Sequence, residues 1–195
     1  MKRLPLYLFL ILFALQAPSQ ADDISDFQIE GMSIGDSLLD YFSEEEIIAN
    51  NRNYSEEKKF FYVVSSGNLN LEDYDSLDIY LKTDDRKYNI YALGGAIYNL
   101  NFEECIKKKD GIIKEISSLF QNSKFVDYGT YPHAFDKSGL STQTNSTLYF
   151  STGGNVRVEC YKWSEEIKLK HNWLDHLSIA VVSQEVEGWI KDGYK

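Results

Sequence analysis

The chain has 195 residues, enough for one domain with a substantial core or for two small, tightly packed halves. Its 30 acidic residues outnumber 20 basic ones, for a formal charge of −10. That balance argues against nucleic acid and anionic lipid as partners, because both repel a negative surface. Tyrosine is abundant and proline scarce, at 14 and 3 residues, which suits strands and binding surfaces alike.

Residues 1–21 read as a signal peptide. Lys2 and Arg3 start it, an apolar run follows from Leu4 to Leu15, and Ser19 and Ala21 fit the small-residue cleavage rule. An apolar run of about 12 residues is short of the roughly 20 that a spanning helix needs. Retention as an uncleaved anchor is the other outcome; no Cys near the cut supports lipid attachment. The expected mature chain, residues 22–195, is one α+β domain in a secreted or periplasmic setting. After cleavage it carries no membrane span.

Ser33 is the expected cap of an opening helix, with Asp36 completing a capping box and Ile34, Leu38 and Phe42 forming its apolar stripe. This reading puts Ser37 inside the helix. Ser43 with Glu46 opens a second short helix, whose acidic first turn complements the helix dipole. Strands are expected at 60–64, 77–82 and 88–93, the second alternating cleanly through Leu77, Ile79 and Leu81. Gly94 and Gly95 are expected to bend or bulge the third.

The period then changes. Asn101 and Glu104 form a further capping box, and Phe102, Cys105, Ile106, Ile112, Ile113, Ile116, Leu119 and Phe120 keep helical spacing, with Lys107, Lys108 and Lys109 expected on the wet side. Strands follow at 125–131, 147–152 and 156–163, the last two joined across Gly153-Gly154-Asn155. Residues 138–146, rich in Ser, Thr and Asn, read as a loop or a polar edge strand. A short helix or turn opens at Ser164, a final strand spans 177–182, and a terminal helix spans 184–191. Runs of strands between isolated helices imply α+β architecture with antiparallel sheet. Helices are expected on one face, with two similar helix-then-three-strand halves, 27–100 and 101–195, as a further option within the single domain.

Cys105 and Cys160 are an even pair in a chain bound for an oxidising compartment, so a disulfide is expected. Cys105 shares the apolar stripe of its helix. Cys160 shares a strand face with Val156 and Val158. The two thiols meet only if that helix packs across the later strands.

Gly35-Asp36-Ser37-Leu38 resembles the motif of the GDSL family of serine esterases. The resemblance implies Ser37 as nucleophile, but the chain has no Asp three residues before any histidine and no Gly-x-Asn-Asp. A serine hydroxyl is a weak nucleophile without a base to take its proton. Residues 29–48, through Gly31, Met32, Ser33, Leu38, Leu39 and Phe42, resemble the helix-pair opening of BamE/SmpA-type outer-membrane lipoproteins and of the β-lactamase-inhibitor-protein fold. That resemblance implies a scaffold for protein contacts and no chemistry. As a whole, the chain looks more like secreted bacterial proteins than like either family.

Other clusters read blandly. Glu44, Glu45 and Glu46 point in different directions from one helix, so they form a solvated start and not a metal site. Glu72, Asp73, Asp75 and Asp78 lack the glycine and terminal glutamate of the standard calcium loop. His176 beside Asp175 reads as a surface pair. Tyr131, Trp163, Trp173 and Trp189 read as core before they read as a sugar platform. No pattern calls for a cofactor or resident metal. The expected function is non-enzymatic binding of a protein or envelope component. The alternatives are an esterase using Ser37 and an extracellular carbohydrate- or calcium-binding module.

Overall fold

The computed structural model describes residues 23–52, 58–66 and 71–192. The expected leader lies outside them. Among these residues eight strands form one antiparallel sheet: β1 (Asn51–Arg52), β2 (Phe60–Ser66), β3 (Ser76–Lys82), β4 (Ile90–Tyr98), β5 (Lys124–Pro132), β6 (Thr142–Tyr149), β7 (Asn155–Lys162) and β8 (His176–Val182). Their spatial order is β1-β2-β3-β4-β8-β7-β6-β5. The first half of the chain thus supplies one half-sheet and the second half the other. They join along β4 and β8, with Gly94 opposite Ala180 and Ala96 opposite Ser178.

Among the described residues four α-helices accompany the sheet: α1 (Glu44–Ala49), α2 (Phe102–Leu119), α3 (Glu165–His171) and α4 (Gln184–Lys191). Each starts where a side chain can satisfy an orphan amide. Ser43, Asn101, Ser164 and Ser183 accept from the backbone N–H of Glu46, Glu104, Ile167 and Val186. Alternation along the strands gives the sheet two faces. Phe61, Val63, Leu77, Ile79, Leu81, Leu93, Val156, Val158, Leu177, Ile179 and Val181 face the principal core, with Cys105, Ile113 and Ile116 of α2 and Ile47 of α1 laid across them.

Cys105 and Cys160 form the expected disulfide, with Cα atoms 6.0 Å apart, tying α2 to β7. The same interface buries Lys109, whose Nζ pairs with Asp110 Oδ1 and donates to Ser146 Oγ, each at 2.8 Å. A buried ammonium requires such partners.

Four expectations need correction. Ser33 does not cap a helix. Gly35 sits at φ +95°, and its N–H donates to Ile90 O while Ile90 N–H returns to Asp36 O, both at 2.9 Å. Pairing with the start of β4 therefore displaces the helix that local pattern favours, and Ser37 caps a 3-10 turn at Leu38–Asp40 instead. The glycine pair does not bulge β4. Gly95 admits the Tyr74 ring, into which a Cβ would run, and the register shift lies between Tyr80 and Leu81, opposite Tyr91. Thr142–Tyr149 is neither loop nor edge but an interior strand between β5 and β7. Finally, the helices do not share one face. Val186 and Trp189 of α4 pack with Phe60, Ala92 and Val182, whose side chains alternate away from the principal core.

Candidate functional site

The face opposite α2 is only partly covered. In the middle of the sheet its side chains are small: Gly94 and Ala96 on β4, Ser178 and Ala180 on β8. Larger groups surround them. Arg157, Glu159 and Tyr161 extend the same rows on β7, and Asp78 and Tyr80 extend them on β3. Val186 and Ile190 of α4 stand on one side; Asn172, Trp173 and Leu174, in the connection from α3 to β8, stand on another. The result is a recess of about 670 Å³, within the range of small-molecule sites.

An aromatic run lines one end. Tyr98 and His176 are opposed across β4 and β8, with ring centroids 5.6 Å apart. His176 stacks on Tyr161 at 4.6 Å, and Tyr161 on Trp163 at 5.6 Å. Trp163 then meets His133 and Trp173, at 4.6 and 4.7 Å. Burial lowers the pKa of both His133 and His176, so both are neutral at pH 7. His176 Nδ1 donates to Leu174 O at 2.8 Å, and His133 Nδ1 accepts from Phe135 N–H at 3.2 Å. The buried Trp163 Nε1 has no hydrogen-bond acceptor among the described residues.

The charges in the recess are few and differ in kind. Glu159 is buried. It accepts from Gln143 Nε2 at 2.6 Å and from Tyr161 Oη at 2.9 Å, and burial pushes its pKa up. Arg157 lies two residues away on the same face and donates through Nε to Asn155 Oδ1 at 2.8 Å. Asp78 has neither kind of support. It forms no hydrogen bond or ion pair with the described residues, and its pKa rises to about 6 through desolvation. Its side chain is nonetheless exposed. The two facts agree if the carboxylate stands at a concave floor, open to water but with protein on most sides.

The other expected sites disperse. Ser37 Oγ donates to Lys87 O at 2.7 Å and accepts from Leu39 N–H at 3.3 Å. The nucleophile reading brings no histidine to it: Ser37 bridges to Asn89, just before β4, whereas His176 opposes Tyr98 at the far end of that strand. Nine residues of strand separate those points by roughly 30 Å. His133 and His171 belong to the aromatic group around Trp163 and Trp173. Asp36 accepts from Ser33 N–H and from Tyr41 Oη, at 2.8 and 2.9 Å, so each polar residue of the Gly-Asp-Ser-Leu stretch has a structural task.

The acids proposed for calcium point to separate tasks. The amides of Glu72 and Asp73 donate to the Glu30 carboxylate, Asp75 accepts from Tyr98 N–H, and Asp78 faces the recess. Among the described residues no three His, Cys, Asp or Glu side chains converge as metal ligands. Glu46 completes the cap of α1 and Glu44 accepts from Tyr88 Oη at 2.9 Å. Asp175 turns from His176, accepting from Trp163 N–H and pairing with Lys168. Of the four aromatic residues considered for a platform, Trp163 and Trp173 line the recess, while Trp189 packs in the core beneath α4 and Tyr131 Oη accepts from Asn145 on β6.

The recess floor has a faint sequence signal, namely small residues at alternate positions in two strands, Gly94/Ala96 and Ser178/Ala180. It has meaning only once those strands are known to be neighbours. No known protein family, curated protein or solved structure matches the chain.

Proposed function

We propose that the protein works by binding, in a secreted or periplasmic setting, with its ligand on the open face of the sheet. The observation that carries this reading is the recess itself: small side chains at the floor, aromatic rings at one end, and walls from α4 and the α3–β8 connection. Natural sites for small molecules have this form, a concave surface with few polar groups. The setting is supported by the leader-like first residues and by a disulfide, a bond that persists in oxidising compartments. Among the described residues no helix is long and apolar enough to cross a membrane.

The ligand on this reading is a component or solute of the envelope. Replacing Ala96 with Trp fills the floor without touching the principal core. Wild-type protein and Ala96→Trp, matched for thermal stability, are incubated with envelope and periplasmic extract, and the retained molecules are identified by mass spectrometry. A species held by wild type and lost from the variant supports the site. Equal retention by both places binding elsewhere. Ester hydrolysis abolished by Ser37→Ala would replace the binding reading with an enzymatic one.

A further inference from the structure

The recess holds one acidic group that no described residue pairs with. His133 and His176 are neutral at pH 7. Arg157 and Glu159 are neighbours on one strand face, and the Arg157 charge counters the rise that burial imposes on the Glu159 pKa. Asp78 remains. It stands three strands from Arg157 in the same row, Asp78–Gly94–Ala180–Arg157, which is roughly 14 Å between backbones. Aromatic groups flank it along β3. On one side are Tyr80 and its cross-strand partner Tyr62, stacked at 5.4 Å. On the other, Ser76 bonds Tyr98 through their hydroxyls at 2.9 Å. No described Lys lines the recess.

We propose that the recess binds a small organic ammonium ion, with the cation seated between the Asp78 carboxylate and the tyrosine rings beside it on β2 and β3. The proposal rests on the binding reading above and names the chemical class of its ligand. Aromatic faces attract ammonium groups through their quadrupoles, most strongly where water is excluded. A single carboxylate supplies the complementary charge but too few oxygens for calcium, which takes six to eight. The chain's charge of −10 favours a cation at long range as well. A recess walled on two sides suits a free small molecule better than a protein surface.

The test uses the full folded protein and two probes of one shape: choline, and 3,3-dimethylbutan-1-ol, its uncharged isostere. Trp163 and Trp173 line the recess, so binding is read by tryptophan fluorescence and checked by calorimetry. Choline is expected to bind at least tenfold tighter than the alcohol. Asp78→Asn is expected to lose most of that preference while its weak affinity for the alcohol holds. Asp78 forms no hydrogen bond with the described residues, so the variant should fold; a melt confirms it. Equal affinity for choline and the alcohol overturns the cation and leaves the recess as a binding site. Choline binding unaltered in Asp78→Asn overturns the assigned residue and with it the proposal. No saturation with choline, tetramethylammonium or butylammonium also overturns it, and the Ala96→Trp retention experiment then decides the recess separately. Saturation by a neutral disaccharide alone would assign the recess to sugar instead.

Discussion

Breaking the bond between Cys105 and Cys160 should remove a large part of the protein's stability. The two cysteines are 55 residues apart in sequence, so the closed loop takes in the rest of α2, all of β5 and β6, and much of β7. For a loop of that length, chain-entropy models give about 4 kcal/mol at 25 °C. The net stability of a domain is about 5–15 kcal/mol. Both sulfurs are buried, so reduction should require local opening of α2 from β7. The assay is urea unfolding followed by tryptophan fluorescence, on the oxidised chain, the same chain reduced, and Cys105→Ala/Cys160→Ala. With a urea slope of about 2 kcal/mol/M, the midpoint of the reduced chain should fall by about 2 M. The reduced chain isolates the cross-link, and the double variant adds the loss of two packed sulfurs. A reduced chain within about 1 kcal/mol of the oxidised one would refute the reasoning. It would mean that residues 105–160 keep their ends close without the bond.

Ser37→Ala should lower stability by about 1 kcal/mol, a melting shift of roughly 2–4 °C, because it removes a cap and the bond to Lys87 O, whereas Ser33→Ala should cost less than half as much. Equal melts would place the cap wrongly. Asp78→Asn should stabilise the protein above pH 6 and lose that advantage below pH 4. The folded carboxyl holds its proton to about pH 6 while the unfolded one releases it near 3.8, so the charged form penalises the fold as pH rises. The shift corresponds to about 3 kcal/mol, but exposure of the side chain reduces the expected gain to about 1 kcal/mol; melts from pH 4 to pH 8 measure it. Asp136 behaves in the opposite sense. Its carboxylate accepts from the N–H and Oγ of both Ser138 and Ser141 and from Ser164 Oγ, which holds its pKa well below the usual range. The stability it contributes is fully present above pH 4 and is lost only as pH falls toward the depressed folded pKa, so Asp136→Asn should melt below wild type at pH 7, with the gap narrowing progressively below pH 4. A pH-independent gap would deny that the ionised form is what the loop needs.

What the sequence disclosed was set by the range of the deciding interaction. Helix α2 was legible because its cap and stripe lie within its own residues; its wet side was misread at Lys109, which is buried because Ser146 on β6 and Asp110 supply its partners. The disulfide followed, since two facing patterns required one packing. The 33–42 stretch was misread because its partner is Tyr88–Ile90, beyond any local window; the same capping logic succeeded at Ser43, where nothing distant competes. The strand at Thr142–Tyr149 looked too polar for an interior position. Its polar side chains are satisfied by particular neighbours, Ser146 by Lys109 and Asp127, Thr144 by Thr130, and Gln143 by Glu159 and Tyr161, and none of these partners is visible to a propensity. In the candidate site, Trp163 and Trp173 stood out by residue type. Asp78 stood out only as one of four acids, and its isolation became visible when β3, β4, β8 and β7 were laid side by side.

The place of β8 constrains how the chain can assemble. This strand comes last in sequence yet lies at the centre of the sheet, pairing with β4 on one side and β7 on the other. Before it docks, β4 and β7 are both open edges, each with a row of unpaired amides and carbonyls able to recruit another chain. The contact of Leu93 with Val181 spans nearly half the molecule, and pairings of such long separation form slowly. During synthesis the two half-sheets therefore wait, unjoined, for the final strand to emerge. Loss of even a few C-terminal residues that anchor β8 through α4 should leave two sticky half-sheets where one folded protein stood.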